Sequence, residues 1–205
     1  PELEQIAGMR VSSGFFQLLG WRPELGREFL PEEELDGHHR VVILSHNLWA
    51  RRFASDPEII GRTVMFSGEP FVVVGVLPPG FQHVGGDYHS PKHGETIDVW
   101  WPFVLGPKGM PRGSHFLNVV GRLAEGTTRQ QAEAEMQMIA ASLAEKYPDS
   151  NREWSARVAA LDEEIIGTAK PLLMVLLSAV ALVLLIVCVN VAGLLLARSS
   201  ARSRE

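Results

Sequence analysis

The sequence predicts an α+β domain with a mixed sheet, followed by one transmembrane α-helix, and three observations carry that reading. Leu172 to Ala197 is an uncharged run of 26 residues rich in Leu, Val and Ala. As a helix it is roughly 39 Å long at about 1.5 Å per residue, more than a bilayer core of about 30 Å requires; a buried core helix is shorter and keeps a polar stripe. Upstream, short β-branched runs and helical patterns alternate without strict βαβ order, which points to α+β rather than to a doubly wound sheet. Hydrophobic residues make up 46% of the 205-residue chain at a mean hydropathy of +0.06, too apolar for a disordered tail.

The elements follow in chain order. Residues 1–10 read as the end of an earlier element. Val11 to Gly20 reads as a short helix, with Ser12 or Ser13 accepting its first N–H groups and Gly20 supplying the left-handed stop. Pro23, Gly26 and Pro31 mark turns, and Glu32–Glu34 reads as a solvated helix start whose charges complement the dipole. Val41-Val42-Ile43-Leu44 is a candidate buried strand. Ser45 then caps a helix through Phe53, with Leu48, Trp49 and Phe53 turned to a core, and Asp56-Pro57 breaks it. Thr63–Phe66 and Phe71–Leu77 form a hairpin about Ser67-Gly68-Glu69-Pro70, stopped by Pro78-Pro79-Gly80. After an irregular polar stretch at 80–95, Thr96–Phe103 and His115–Leu123 read as strands. Thr127 with Gln130, or Thr128 with Gln131, has capping-box spacing at the start of an amphipathic helix. One face of that helix holds Ala132, Met136, Ile139, Ala140, Leu143 and Tyr147, and Pro148 ends it. Trp154–Leu161 reads as a last strand, leading through Asp162-Glu163-Glu164 into the membrane. The resulting boundaries are 1–165 for a domain of two subdomains, 171–197 for the membrane helix and 198–205 for a tail.

Charge sets the expected orientation. Residues 1–170 carry 16 basic against 23 acidic side chains, whereas beyond them Arg198, Arg202 and Arg204 oppose only Glu205. Arginines just past a membrane helix favour the cytoplasmic side, so the C-terminal end is expected inside and residues 1–165 outside the cytoplasm. Export of such a domain needs an upstream signal, and the chain opens at Pro1 with no initiator Met. The expectation is a fragment, with an earlier membrane helix or signal before it and further helices after Glu205. A pI of about 5.8 argues against a nucleic-acid partner. The single Cys, Cys188, excludes an internal disulfide or a CxxC site.

The motifs that carry chemistry are sparse. No GxxxxGK[ST], GxSxG, HExxH or GxGxxG pattern occurs, so ATP-driven work would need an ATPase elsewhere. The one enzyme-like cluster is His83, Asp87, His89, His93, Glu95 and Asp98, residue types that can ligate a divalent transition metal. Its spacing fits no known ligand frame, and Gly85, Gly86, Ser90 and Pro91 point instead to a solvated loop; His38-His39 reads the same way. Trp100 and Trp101 point to opposite faces of a strand, one into the core and the other outward or to an interface, and Phe15-Phe16 reads as core. In the membrane run, Ser178 can bond back to its own helix, and Cys188 is a small apolar residue. Asn190 is an amide that seeks an interhelical partner in hydrocarbon, and Gly193 with Ala197 forms a small-xxx-small pair that permits close approach. Asn190, Gly193 and Ala197 are therefore the expected packing residues, against the alternative of a single anchor with tolerated polar groups.

These segments together resemble a known family. Val11-Ser12, Phe15-Phe16, Leu19-Gly20, Pro23, Gly26-Arg27 and Phe29 are similar to the opening of a MacB-type periplasmic core domain. Val41-Val42-Ile43-Leu44-Ser45, Trp49, Phe53, Asp56-Pro57, Ile60-Gly61 and Val72-Val73-Val74-Gly75-Val76-Leu77-Pro78 continue the likeness. Cys188-Val189-Asn190-Val191-Ala192-Gly193-Leu194-Leu195-Leu196-Ala197-Arg198 resembles the start of an FtsX-like permease domain, in particular that of the acidobacterial duplicated orphan permeases. The resemblance covers nearly the whole chain. It implies a permease of a bacterial ABC transporter, multi-pass in the inner membrane, whose periplasmic domain lies between its first and second membrane helices. It also implies a cytoplasmic ABC-type ATPase partner, a homodimer or pseudo-dimer of permeases, and mechanical transmission of ATP-driven closure to the periplasm. It implies no catalytic, cofactor-binding or metal-ligating residues. Two other classes stay open: a periplasmic binding or sensing module on one anchor, and a membrane-anchored hydrolase using the His/Asp loop. Three further hydrophobic spans beyond Glu205 would favour the permease, and the lack of a nucleophile–base motif weighs against the hydrolase.

Overall fold

Glu69–Val76 forms an eight-residue strand, β5, around which the sheet is organised. The computed structural model describes residues 5–84, 95–105, 113–114, 116–166 and 169–202. They fall into two units, Pro1–Val158 and Ala159–Glu205. In the first unit six strands make one sheet, in the order β1 (Gly8–Val11), β6 (Val99–Pro102), β3 (Val41–Leu44), β5, β2 (Leu25–Gly26), with β4 (Thr63–Phe66) also joined to β5. The pairs β1–β6 and β3–β5 are parallel, and β3–β6, β4–β5 and β2–β5 are antiparallel, so the sheet is mixed as the sequence predicts. One edge of β5 takes β3, while β4 and β2 share the other.

Strand alternation sends side chains to two faces, and both faces are covered. On one, Val42, Leu44, Val73 and Val99 pack with Leu48 and Trp49 of helix α2 (His46–Phe53) and with Ile59 and Phe66. On the other, Val11, Ile43, Val74 and Trp100 pack with Phe16 of α1 (Phe15–Leu18) and with Phe29, Leu77 and Ile97. Trp100 is 2% exposed and meets Phe16 and Phe81 edge-on. Trp101 turns the other way, against Phe66 and Phe71. The expected asymmetry holds in part: Trp100 is core, while Trp101 is only partly buried and packs on the other cluster from its margin, so the opposite face is covered rather than open. Gly8 leaves the space that Trp101 fills, since a Cβ there would lie 1.8 Å from its ring.

Between Val42 and Ile43 the register of β3 on β5 slips by one, from Val42 opposite Val73 to Ile43 opposite Gly75, a bulge that leaves Val74 without an opposite residue. The two-residue strand β2 reaches β5 at the same place. A Cβ on Gly75 would lie 2.5 Å from the Arg27 carbonyl oxygen, and one on Gly26 would lie 2.2 Å from that of Val74. The close approach of these backbones requires both glycines.

The helix signals hold in part. The Ser45 hydroxyl accepts the Leu48 N–H at 3.0 Å, as its position predicts. Thr128 and Gln131 make the capping box that opens α3 (Arg129–Lys146): the Gln131 N–H donates to the Thr128 hydroxyl at 3.3 Å, and the Thr128 N–H to the Gln131 amide oxygen at 2.8 Å. Neither Ser12 nor Ser13 caps α1; Gly14, at φ 76°, starts it without a side-chain cap, and the Ser13 N–H donates to the Glu34 carboxylate. No residue of α3 is buried, and Met136 and Ile139 of its predicted inner face are exposed. Pro148 ends α3 but also opens a short helix, α4 (Pro148–Asn151). The strands expected at His115–Leu123 and Trp154–Leu161 do not form: described residues 116–123 and 154–160 belong to no ladder, and Leu161 begins helix α5 (Leu161–Ile166). A strand needs a neighbouring backbone as well as a suitable sequence, and here the described residues offer none.

The second unit contains α5 and α6 (Ala169–Arg202), whose 34 residues extend past both ends of the predicted span. Pro171 lies in the first turn of α6, where an N–H has no intrahelical acceptor to lose.

Candidate functional site

Within α6, Leu173–Gly193 is a 21-residue stretch of mean hydropathy 2.9, long and apolar enough to cross a membrane, and nothing in the described chain covers it. Leu176, Leu182, Leu185 and Val187 are all more than half exposed and lie all around the helix. A helix apolar on every side suits hydrocarbon, because its backbone groups are satisfied internally. The Ser178 hydroxyl donates to the Met174 carbonyl at 2.8 Å, the back-bond its sequence position predicts. Asn190 and Gly193 are three residues apart, hence on one side of the helix. A Cβ on Gly193 would meet no atom within 4 Å, so a neighbouring helix has room to approach. Ala197, Arg198 and Arg202 continue the helical backbone, and Arg204 lies outside the described residues.

The His/Asp loop takes a different form from the one its sequence suggests. His83 and Asp98 are buried, at 2% and 7% exposure, and Glu95 is exposed. Asp87, His89 and His93 lie outside the described residues. Asp98 joins three parts of the first unit. Its carboxylate accepts the Ala7 N–H at 3.3 Å and pairs with Arg51 at 3.4 Å, while its carbonyl accepts the Ser45 N–H at 2.8 Å. Among the described residues no group of three His, Cys, Asp or Glu side chains could hold a metal ion. His38 is exposed as its sequence suggests, but His39 is only partly exposed, and its Nδ1, 3.9 Å from Asp36, is buried with no hydrogen-bond partner among the described residues, which corrects the solvated reading for that residue.

Two polar arrangements escape the sequence reading. Glu33, within the run taken as solvated, is 6% exposed. Its carboxylate accepts from both terminal nitrogens of Arg27, at 2.6 and 3.0 Å, and from the Leu30 N–H at 2.8 Å. The hydrogen bond to Glu33 holds the Arg27 guanidinium above its ordinary value, with partial burial opposing. The Leu30–Glu33 spacing is that of a capping glutamate and could have flagged the buried carboxylate. The second is His46, whose Nδ1 lies 2.5 Å from Glu24 at the start of α2, a pairing set by tertiary contact alone. Beside it a cavity of about 190 Å³ opens at the C-terminal ends of β3 and β5; Leu77, Phe81, Ile97 and Trp100 form its apolar side, and His46, Gln82, His83 and Glu95 its polar side.

Comparison with known proteins places these features. Residues 2–139 match the MacB-like periplasmic core domain family. The chain is 25% identical over 199 residues to the macrolide export ATP-binding/permease protein MacB of Neisseria meningitidis serogroup A, an alignment that covers 95% of this chain and 28% of that protein. It is 24% identical over 123 residues to the protein of the same name from Hahella chejuensis, covering 60% of this chain and 18% of that one. The chain thus spans less than a third of the length of the curated relatives it matches. The crystal structure of the periplasmic region of MacB from Actinobacillus actinomycetemcomitans aligns at a TM-score of 0.45 and 18% identity, over 70% of this chain and 58% of that one.

Proposed function

Because the chain belongs to the MacB-like periplasmic core domain family, we propose that it is the periplasmic domain and the next membrane helix of an ABC transporter permease subunit. In this reading a cytoplasmic ABC-type ATPase hydrolyses ATP, and the membrane bundle passes the resulting movement to the periplasmic domain, for export or for mechanical signalling. The observation that carries it is continuity: the family match over 2–139 is followed in the same chain by the apolar helix Leu173–Gly193. The segment from Cys188 to Arg198 begins the FtsX-like permease domain, and the subunit is multi-pass in the bacterial inner membrane. Asn190, Gly193 and Ala197 face neighbouring helices of a homodimer or pseudo-dimer, and Arg198, Arg202 and Arg204 stay in the cytoplasm. Residues 1–165 are periplasmic; they act by moving, with no catalytic residue, metal or cofactor of their own.

Orientation is testable in cells. In a cysteine-free form of the permease, a cysteine placed at Glu125, which is exposed, should react with a membrane-impermeant maleimide in intact cells. One placed at Ser203 should react only after permeabilisation. The reverse pattern would place the arginines outside and overturn the reading.

A further inference from the structure

We propose that Arg122 is a clasp that locks two parts of the first unit in one orientation, the part that holds the sheet and the part that leads to the membrane helix. Both cores are built from residues up to Trp101, and among the described residues none beyond it belongs to either. Residues 116–158 are thus a second part of the same unit. They hold the stretch 116–123, outside any ladder, then α3 with no buried residue, then α4. From Trp154 they lead along the chain to α5 and α6. Since the described residues give the two parts no common core, contacts between their surfaces set how one sits on the other.

Arg122 makes such a contact, and with an anchored element. A terminal nitrogen of its guanidinium donates to the Leu18 carbonyl, 104 positions earlier in the chain. Leu18 ends α1, and the last carbonyls of a helix have no intrahelical donor. The N–H groups of Leu19, Gly20 and Trp21 donate to the carbonyls of Phe15, Gln17 and Phe16, which leaves the Leu18 carbonyl to Arg122. A cationic donor suits that end of a helix. α1 is itself fixed by Phe16, which is 1% exposed within its core. A further contact lies six positions before Arg122: the Phe116 ring is 6.3 Å from that of Phe103, directly after β6. One contact acts as a pivot, whereas separated contacts fix an orientation. Arg122 is exposed, so the clasp can exchange its carbonyl for water and open without unfolding either core. In the transport reading, movement of α6 reaches the sheet across this joint; that consequence rests on the reading, and the clasp does not.

The test uses the full chain in nanodiscs, with Cys188→Ser and spin-labelled cysteines at Glu69 in β5 and Glu145 in α3, both exposed. With Arg122 intact, double electron–electron resonance should give one narrow distance distribution. Arg122→Met keeps the length of the side chain but removes every donor. It should raise the population outside that distance roughly fivefold, the effect of losing one hydrogen bond. Arg122→Lys keeps a cationic donor and should stay close to the parent. Both cores are untouched, so the melting temperature by circular dichroism should be the same in all three. An unchanged distribution in Arg122→Met, an equally broad one in Arg122→Lys, or a broad one in the parent would overturn the clasp. So would a lower melting temperature in Arg122→Met, which would make Arg122 a structural support rather than a joint. The measurement needs no ATPase, so its failure would leave the transport reading standing.

Discussion

Replacing Gly26 by Val should strip the edge from the central strand and lower the stability of the first unit by about 3 kcal/mol or more. Two costs add. At φ +75° a β-branched residue is strained, and its Cβ would lie 2.2 Å from the Val74 carbonyl oxygen and 2.9 Å from Ile60. The clash with a backbone atom cannot be relieved by a rotamer change; β2 must move off β5. Doing so breaks the hydrogen bonds from the Arg27 N–H to the Val74 carbonyl and from the Glu24 N–H to the Val76 carbonyl, both 2.8 Å. For a unit of this size the melting temperature should fall by about 6–12 °C, measured by circular dichroism on the purified chain. Gly20 is the control: it too has positive φ, at 82°, but a Cβ there meets nothing within 4 Å. Gly20→Ala should cost only the left-handed penalty, about 1–2 kcal/mol. Equal effects of the two changes would mean that the β2–β5 contact contributes little.

The membrane helix yields the second large effect. In a permease bundle, Gly193→Leu places a branched side chain where the described chain leaves open space and a neighbouring helix is proposed to lie. It should separate the helices and abolish crosslinking between permease subunits. Asn190→Leu removes one interhelical hydrogen bond and should weaken association by about 0.6–2 kcal/mol. If the helix were a lone anchor, Gly193→Leu would be harmless and Asn190→Leu would aid insertion, since an amide is disfavoured in hydrocarbon. Crosslinking and ATPase activity of the reconstituted complex separate the two cases. Normal assembly and coupling in both variants would favour the single anchor.

What could be read from the sequence was what local chemistry decides. Ser45 and Thr128 cap helices because a hydroxyl at that position serves N–H groups two or three residues on, whatever the rest of the fold does. Val41–Leu44 and Thr63–Phe66 are strands with the bounds their patterns give, and the uncharged run lies within one helix. Where tertiary contact decides, the local signal misled. Glu33 sits in an acidic run that resembles a solvated helix start, and only the fold brings Arg27 and the Leu30 N–H to it. The 116–123 segment has strand composition but no neighbouring ladder. Which of Trp100 and Trp101 is core was not legible, because alternation shows that two faces differ, not which is the more deeply covered. The cavity beside His46 was invisible for the same reason: Leu77, Ile97 and Trp100 are far apart in sequence and meet only at the ends of the strands.

The central claim is that ATP hydrolysis in the cytoplasm moves the periplasmic domain, and a distance measurement tests it most directly. Spin labels placed at Glu125 in two permease copies of the reconstituted complex report the separation of the domains by double electron–electron resonance. Trapping the ATP-bound state should shift the distance distribution relative to the nucleotide-free state, and in Gly193→Leu the defined inter-domain distance itself should be lost while each domain stays folded. Identical distributions in the two nucleotide states, in a complex that hydrolyses ATP normally, would contradict the account.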